Sequence, residues 1–177
     1  MRLRTKHLLI ALLLLVTGHC VAADASYSIV ISKAARTLEV FNGAVRQNSF
    51  KIALGTSPVG PKQIEGDRKT PEGSYYVCSK NNASRFYLSL GLSYPNADDA
   101  KRGLDAGLIT EIQYKKILLA IKRKQVPPWN TSLGGEVMIH GCGTASDWTW
   151  GCIALENADI ETLYKIIEIG TPVQIQK

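Results

Sequence analysis

Apolar and polar positions alternate along the first legible stretch of the chain. In "SYSIVISKAARTLEVFNGAVRQNSFKIALG", Ile29 to Ile31, then Leu38, Val40 and Phe41, then Phe50, Ile52 and Leu54 follow the spacing of half-buried strands. A short polar connection, Lys33 to Arg36, separates the first two. Asn42-Gly43 is a hairpin signal, because both residues tolerate positive φ. The segment therefore predicts a β-meander. "TSPVGPKQIEGDRKTPEG" then concentrates Pro58, Gly60, Pro61, Gly66, Pro71 and Gly73, which predicts a looped passage re-entering a strand at Tyr75-Tyr76-Val77. A second strand, "RFYLSLGLSY", is expected after a polar turn.

From Asn96 to Arg123 the period becomes helical. Asn96 is placed to cap a short helix ending at Gly107, and Thr110 with Gln113 forms a capping box for a second helix. Tyr114, Ile117, Leu118 and Ile121 share one face of that second helix, and Pro127-Pro128 ends the excursion. "GGEVMIHG" reads as a returning strand with His140 at its end. A last helix is expected from Asn157 to Gly170, burying Ile160, Leu163, Tyr164 and Ile167, followed by the strand "PVQIQ". The fold class predicted is mainly β with two to three inserted helices, in a single domain over residues 24–177.

Composition changes this picture at the N-terminus. Arg2, Arg4 and Lys6, an apolar run from Leu8 to Val16, and the small residues of "VAADA" read as a cleavable secretory signal over residues 1–23. The expected location is periplasmic or secreted; the apolar run is short for a membrane-spanning anchor. Loss of the leader lowers the formal charge from +6 to about +3, mild enough that no nucleic-acid partner is expected. It also leaves one histidine, His140, and three cysteines, Cys78, Cys142 and Cys152.

Those residues admit three readings. Zinc is a poor fit, because one and then nine residues separate His140, Cys142 and Cys152, without a clear fourth ligand; no metal or cofactor is expected. A disulfide suits an exported chain, but three cysteines form at most one bridge, so one thiol is left over. The third reading makes Cys152 a nucleophile and His140 its base, the pair passing through thiolate and imidazolium in acyl transfer. Gly151 would let the backbone approach a carbonyl, with the Gly151 and Cys152 amides aimed at the oxyanion.

His140-Gly141 followed by Thr149-Trp150-Gly151-Cys152-Ile153 resembles the L,D-transpeptidase family with the YkuD-type catalytic domain. "GDRKTPEGSYYV", the early strands and "GTPVQI" extend the likeness over about Ser26 to Gln176. Two positions depart from the family pattern: Trp150 stands where a histidine is common, and Ala154 where Arg or Asn is common. The resemblance implies a Cys152 acyl-enzyme formed on a peptidoglycan stem peptide, with His140 as base and a backbone carbonyl near Gly141 orienting it. Asp147 is the side-chain alternative for that orienting role, and Thr149 is expected to hydrogen-bond within the loop. Lys69, Arg85, Tyr94 and Trp150 are candidate substrate contacts, and Trp148 is a candidate wall of the groove. The long helical excursion is similar to a branch that releases a wall-linked lipoprotein, so hydrolysis, as carboxypeptidase or amidase, competes with transfer. A monomer is expected. An inactive wall-binding module and a peptidase for ordinary L-peptides are the rival readings.

Overall fold

A computed structural model describes residues 26–177. The expected leader over residues 1–23 lies outside them. Eleven elements follow one another: β1 (Tyr27–Ser32), β2 (Thr37–Asn42), β3 (Val45–Lys51), β4 (Gly73–Ser84), β5 (Tyr87–Leu92), α1 (Ala97–Asp105), α2 (Glu111–Lys122), β6 (Met138–His140), β7 (Ile153–Ala154), α3 (Asn157–Ile166) and β8 (Pro172–Gln176). The strands form one eight-stranded sheet in the order β3-β2-β1-β8-β4-β5-β6-β7. β1 pairs with β8 in parallel, and so does β6 with β7; the other neighbours are antiparallel.

Alternation in the sequence sets which face is buried. Ile29 and Ile31 of β1, Leu38 and Val40 of β2, and Val173 and Ile175 of β8 all enter one core. Ile160 and Leu163 of α3 join the same core. β3 lies at the end of the order and is almost wholly exposed, as its polar sequence "VRQNSFK" dictates. Beyond it the sheet curls until its ends meet. Ala53 and Ala154 exchange both backbone hydrogen bonds at 2.9 Å, and Thr149 and Leu54 continue the contact at 3.1 Å. The chain after β3 is thereby tied to β7.

The helical excursion packs separately. Ala100 of α1 and Ile117 of α2 meet Ile109 and Leu133 in a second small core, with Tyr114 and Ile121 against it. Asn96 caps α1 by accepting from the Asp99 amide at 2.9 Å, and Thr110 caps α2 in the same way with Gln113. Both caps were readable as side-chain oxygens three residues before a receptive amide.

Three boundaries differ from expectation. Asn81 to Ser84, a turn by composition, continue β4, and the two-residue turn falls at Arg85-Phe86. The end of this hairpin projects past the core, so polar residues suit both of its faces. The returning strand is only Met138–His140, because Gly134 and Glu136 adopt positive φ, 78° and 51°. α3 ends at Ile166, four residues before Gly170, since Ile167 turns extended to reach the core.

Asn96→Ala removes both its cap and its Nδ2 hydrogen bond to the Ser74 carbonyl. The expected loss is about 1–2 kcal/mol, read as a lowered urea midpoint with unchanged slope.

Candidate active site

His140 ends β6, buried at 2% exposure. Its Nδ1 lies 2.7 Å from the Gly141 carbonyl, so Nδ1 carries the proton and Nε2 is the nitrogen left for acid–base work. The ring is fixed from the sides as well. Phe86 stacks on it at 4.7 Å between centroids, and Trp148 meets it edge-on at 5.6 Å. Trp148 is itself held by its indole N–H donating to the Gly143 carbonyl at 3.1 Å. Phe86 reaches His140 because the overhanging β4–β5 hairpin bends back, its Phe86 carbonyl accepting from the Gly141 amide at 3.0 Å.

The loop between β6 and β7 is pinned along its length. Asn157 Oδ1 accepts from the Cys142 amide at 2.9 Å, and Glu156 accepts from both the amide and the hydroxyl of Thr144. A Cβ at Gly141 would stand 2.5 Å from Asn157 Oδ1 and push away the side chain that holds the Cys142 amide.

Cys152 immediately precedes β7. In the parallel register Ile139 faces Ile153 and His140 faces Ala154, so Cys152 lies level with Met138. Residues two apart on a strand share a face, which puts Cys152 on the face of Met138 and His140. Its sulfur accepts from the Met138 amide at 3.4 Å, and the thiol donates to the Glu136 carbonyl at 3.6 Å. His140 and Cys152 line one cavity of about 300 Å³ with Arg85, Phe86 and Ser89. On its other side Cys152 lines a second cavity, of about 210 Å³, with Lys62, Glu65, Glu136, Trp150 and Gly151.

Thr149 Oγ1 closes the turn before the nucleophile, donating to the Cys152 carbonyl at 2.7 Å and accepting from the Gly151 amide at 3.2 Å. The Gly151 amide is thus occupied by Thr149, which corrects the expectation that it faces an oxyanion. Gly151 serves a different need: at φ 123° it passes so close to Lys69 that a Cβ would sit 2.6 Å from the Lys69 carbonyl oxygen.

Of the other expected contacts, Arg85 lines the His140–Cys152 cavity and Trp150 the second one. Trp150 is 73% exposed and carries the Arg68 guanidinium 5.1 Å over its ring. Lys69 and Tyr94 do not fit their expected roles. The Lys69 ammonium lies by Gly60 and its backbone abuts Gly151, so Lys69 supports the loop rather than lining either cavity. Tyr94 is wholly buried, its hydroxyl donating to the Leu133 carbonyl at 3.0 Å, so it packs in the core and is not exposed to a substrate. Asp147 faces away from His140, bound to Arg36 at 2.6 Å and to the Leu54 amide at 2.8 Å. The Gly141 carbonyl takes the orienting position instead.

Cys78, Cys142 and Cys152 are all free thiols, Cys78 buried and Cys142 exposed at φ 80°. Among the described residues, no group of three or more His, Cys, Asp or Glu side chains is placed to hold a metal. Phe86, Lys62 and Glu136 were missed from sequence. Phe86 had a weak signal, a large apolar residue beside a polar turn; Lys62 and Glu136 looked like any loop charges.

Burial pushes the Cys152 thiol above its ordinary value; the Met138 amide and the Lys62 charge pull it down, and Glu136 adds to the rise. Burial pushes the His140 imidazole below its ordinary value, partly offset by the Gly141 carbonyl. Both directions favour the uncharged thiol and uncharged imidazole in the free protein.

A half-buried thiol hydrogen-bonded to backbone groups and an oriented imidazole therefore share one cavity on the curled sheet. The family described as the YkuD L,D-transpeptidase catalytic domain matches residues 26–175, and the chain belongs to that family. A curated relative from Escherichia coli (strain K12), "Putative L,D-transpeptidase YafK", is 28% identical over 146 residues, 78% of this chain and 46% of that protein. The chain thus spans about half the length of the curated relatives it matches. Among solved structures, the helical cell shape determining protein Pgp2 from Campylobacter jejuni is similar with a TM-score of 0.60 and 22% identity, covering 86% of this chain and 48% of that one. An L,D-transpeptidase from Mycobacterium smegmatis is similar with a TM-score of 0.51 and 13% identity, covering 86% and 59%. At these identities the structural likenesses speak for the fold.

Alkylation tests the electrostatics. Because attack requires thiolate and Cys152 is held above the ordinary thiol range, its iodoacetamide rate is expected to keep rising with pH after a free cysteine has levelled off. Peptide mapping at Cys152 across a pH series reads this directly; a plateau below that of free cysteine contradicts it.

Proposed function

We propose that the protein is an exported L,D-transpeptidase that acts on peptidoglycan stem peptides through an acyl-enzyme on Cys152. The observation that carries this reading is the shared cavity of Cys152 and His140, with His140 Nδ1 committed to Gly141 and Nε2 left for the proton. The Cys152 sulfur attacks the carbonyl at the L-centre of the third stem residue, a diamino acid, while His140 Nε2 takes the thiol proton. Collapse of the tetrahedral intermediate expels the amine of the next residue, which receives that proton from His140. With the Gly151 amide engaged by Thr149, the Cys152 amide is the nearer candidate for the oxyanion.

An amine that meets the acyl-enzyme gives a cross-link or an attachment; water gives a carboxypeptidase or an amidase that frees a wall-linked lipoprotein. His140 deprotonates either acceptor, so the catalytic pair serves both outcomes. The basic start, apolar run and small residues over 1–23 support delivery across the membrane, where the substrate lies.

Incubation with purified tetrapeptide muropeptides, with and without an added D-amino acid, tests the proposal. The expected result is an acyl adduct at Cys152 by intact mass, no turnover in Cys152→Ala, and a rate lowered by about 10² to 10⁴ in His140→Ala. Cleavage of casein with no action on muropeptides, or turnover that survives Cys152→Ala, sinks it.

A further inference from the structure

The loop that carries Trp148 is fastened to the chain leaving β3 at two points, one on either side of that residue. The Asp147 carboxylate accepts from the Leu54 amide at 2.8 Å, and the Thr149 amide donates to the Leu54 carbonyl at 3.1 Å. Trp148 is thus held between two anchors on a single buried residue. From there its ring meets His140, while Thr149 closes the turn onto the Cys152 carbonyl. The second anchor is backbone on backbone. The first is a side chain, so it works only where that side chain is itself held.

Arg36, in the turn between β1 and β2, holds it. The guanidinium Nε and Nη2 both donate to the Asp147 carboxylate, at 3.1 Å and 2.6 Å, a two-point fit that fixes direction as well as distance. Its Nη1 donates to the Lys33 carbonyl, and the Arg36 carbonyl accepts from the Ile52 amide at 3.0 Å. One residue therefore ties the β1–β2 turn, the chain leaving β3 and the β6–β7 loop together. The pair is shielded, with side chains only 32% and 22% exposed. Burial raises the Asp147 carboxyl, but Arg36 and the Leu54 amide outweigh it and hold it below its ordinary value. The carboxylate is thus charged, and the pair intact, at neutral pH.

Resting on the reading of His140 and Cys152 as base and nucleophile, we propose that Arg36 and Asp147 are positioning residues for that pair, acting through Trp148 and Thr149 without touching the substrate. Their ion pair makes the closure of the sheet the support of the histidine ring. Loss of either partner frees the Asp147 end of the loop, and Trp148 with it.

Proton NMR titration of the His140 ring in the full chain, its signals assigned by their loss in His140→Gln, tests this without turnover. Arg85, Glu136 and Cys152, the charged and titratable groups that share its cavity, stay unchanged in every variant. Through-space charge alone predicts opposite signs, since removing a guanidinium raises the imidazole and removing a carboxylate lowers it. Positioning predicts one sign. In Arg36→Ala and in Asp147→Ala alike, water reaches the ring beside a loosened Trp148 and His140 titrates higher, towards its ordinary value. Turnover of muropeptides is expected to lose about 10²-fold in kcat with KM little changed, and Arg36→Lys, which keeps the charge without the fork, to lie between. Asp147→Asn is read in place of Asp147→Ala where the latter does not fold. An unmoved His140 titration, shifts of opposite sign in the two variants, or an unchanged kcat in an active protein overturns the proposal. Failure of the catalytic reading shows separately. Higher titration in both variants with muropeptides inert supports the clamp and rejects that reading; normal turnover with an unmoved titration does the reverse.

Discussion

The site depends on one short piece of backbone, the parallel pairing of three residues in β6 with two in β7. Parallel register sets His140 against Ala154 and therefore brings Cys152 level with Met138, on the face His140 shares. A one-residue slip would turn the thiol to the opposite face and dismantle the pair. So small a pairing needs support from outside. β5 supplies it on one side, and Ala53 with Leu54, at the other end of the curled sheet, supplies it on the other. The curl is thus what fixes the chemistry, because it brings the chain after β3 against β7.

The supports of His140 form a second layer. A carbonyl one residue away fixes the tautomer, while Phe86 and Trp148 limit the ring to one orientation. Neither aromatic contributes a charge, so the imidazole loses hydration and its proton affinity falls. Desolvation moves the Cys152 thiol the other way. Both shifts favour the uncharged form of each group in the free protein.

Legibility varied with the range of the interaction. The caps of α1 and α2 are local, each a side chain reaching an amide three residues on, and both were readable from type and spacing. The buried faces of β1, β2 and β8 were readable because alternation is a property of a single strand. The β4–β5 turn was misplaced, since polar residues on a projecting hairpin look like a turn. Tyr94, expected as a substrate contact, is buried instead, because burial of a tyrosine depends on what packs around it, here the Leu133 carbonyl and the core. Asp147 had a plausible spacing from His140, but its partner, Arg36, lies 111 residues away in sequence.

By itself the sequence singled out His140 and Cys152 as the candidate pair. Over residues 26–177 it holds one histidine and a Gly-Cys twelve residues on, in a pattern whose local chemistry needs no distant residue to be recognised. It also determined the strand and helix types, which follow from short-range periodicity. Only the tertiary structure decided which groups surround that pair: the aromatic clamp from a hairpin tip, the Gly141 carbonyl in place of Asp147, Thr149 on the Gly151 amide, and the buried Lys62. Phe86 and Lys62 reach the site across spans no local pattern encodes. Their positions follow from how far a twelve-residue strand overhangs and where a curled sheet closes, quantities that exist only once the chain has folded.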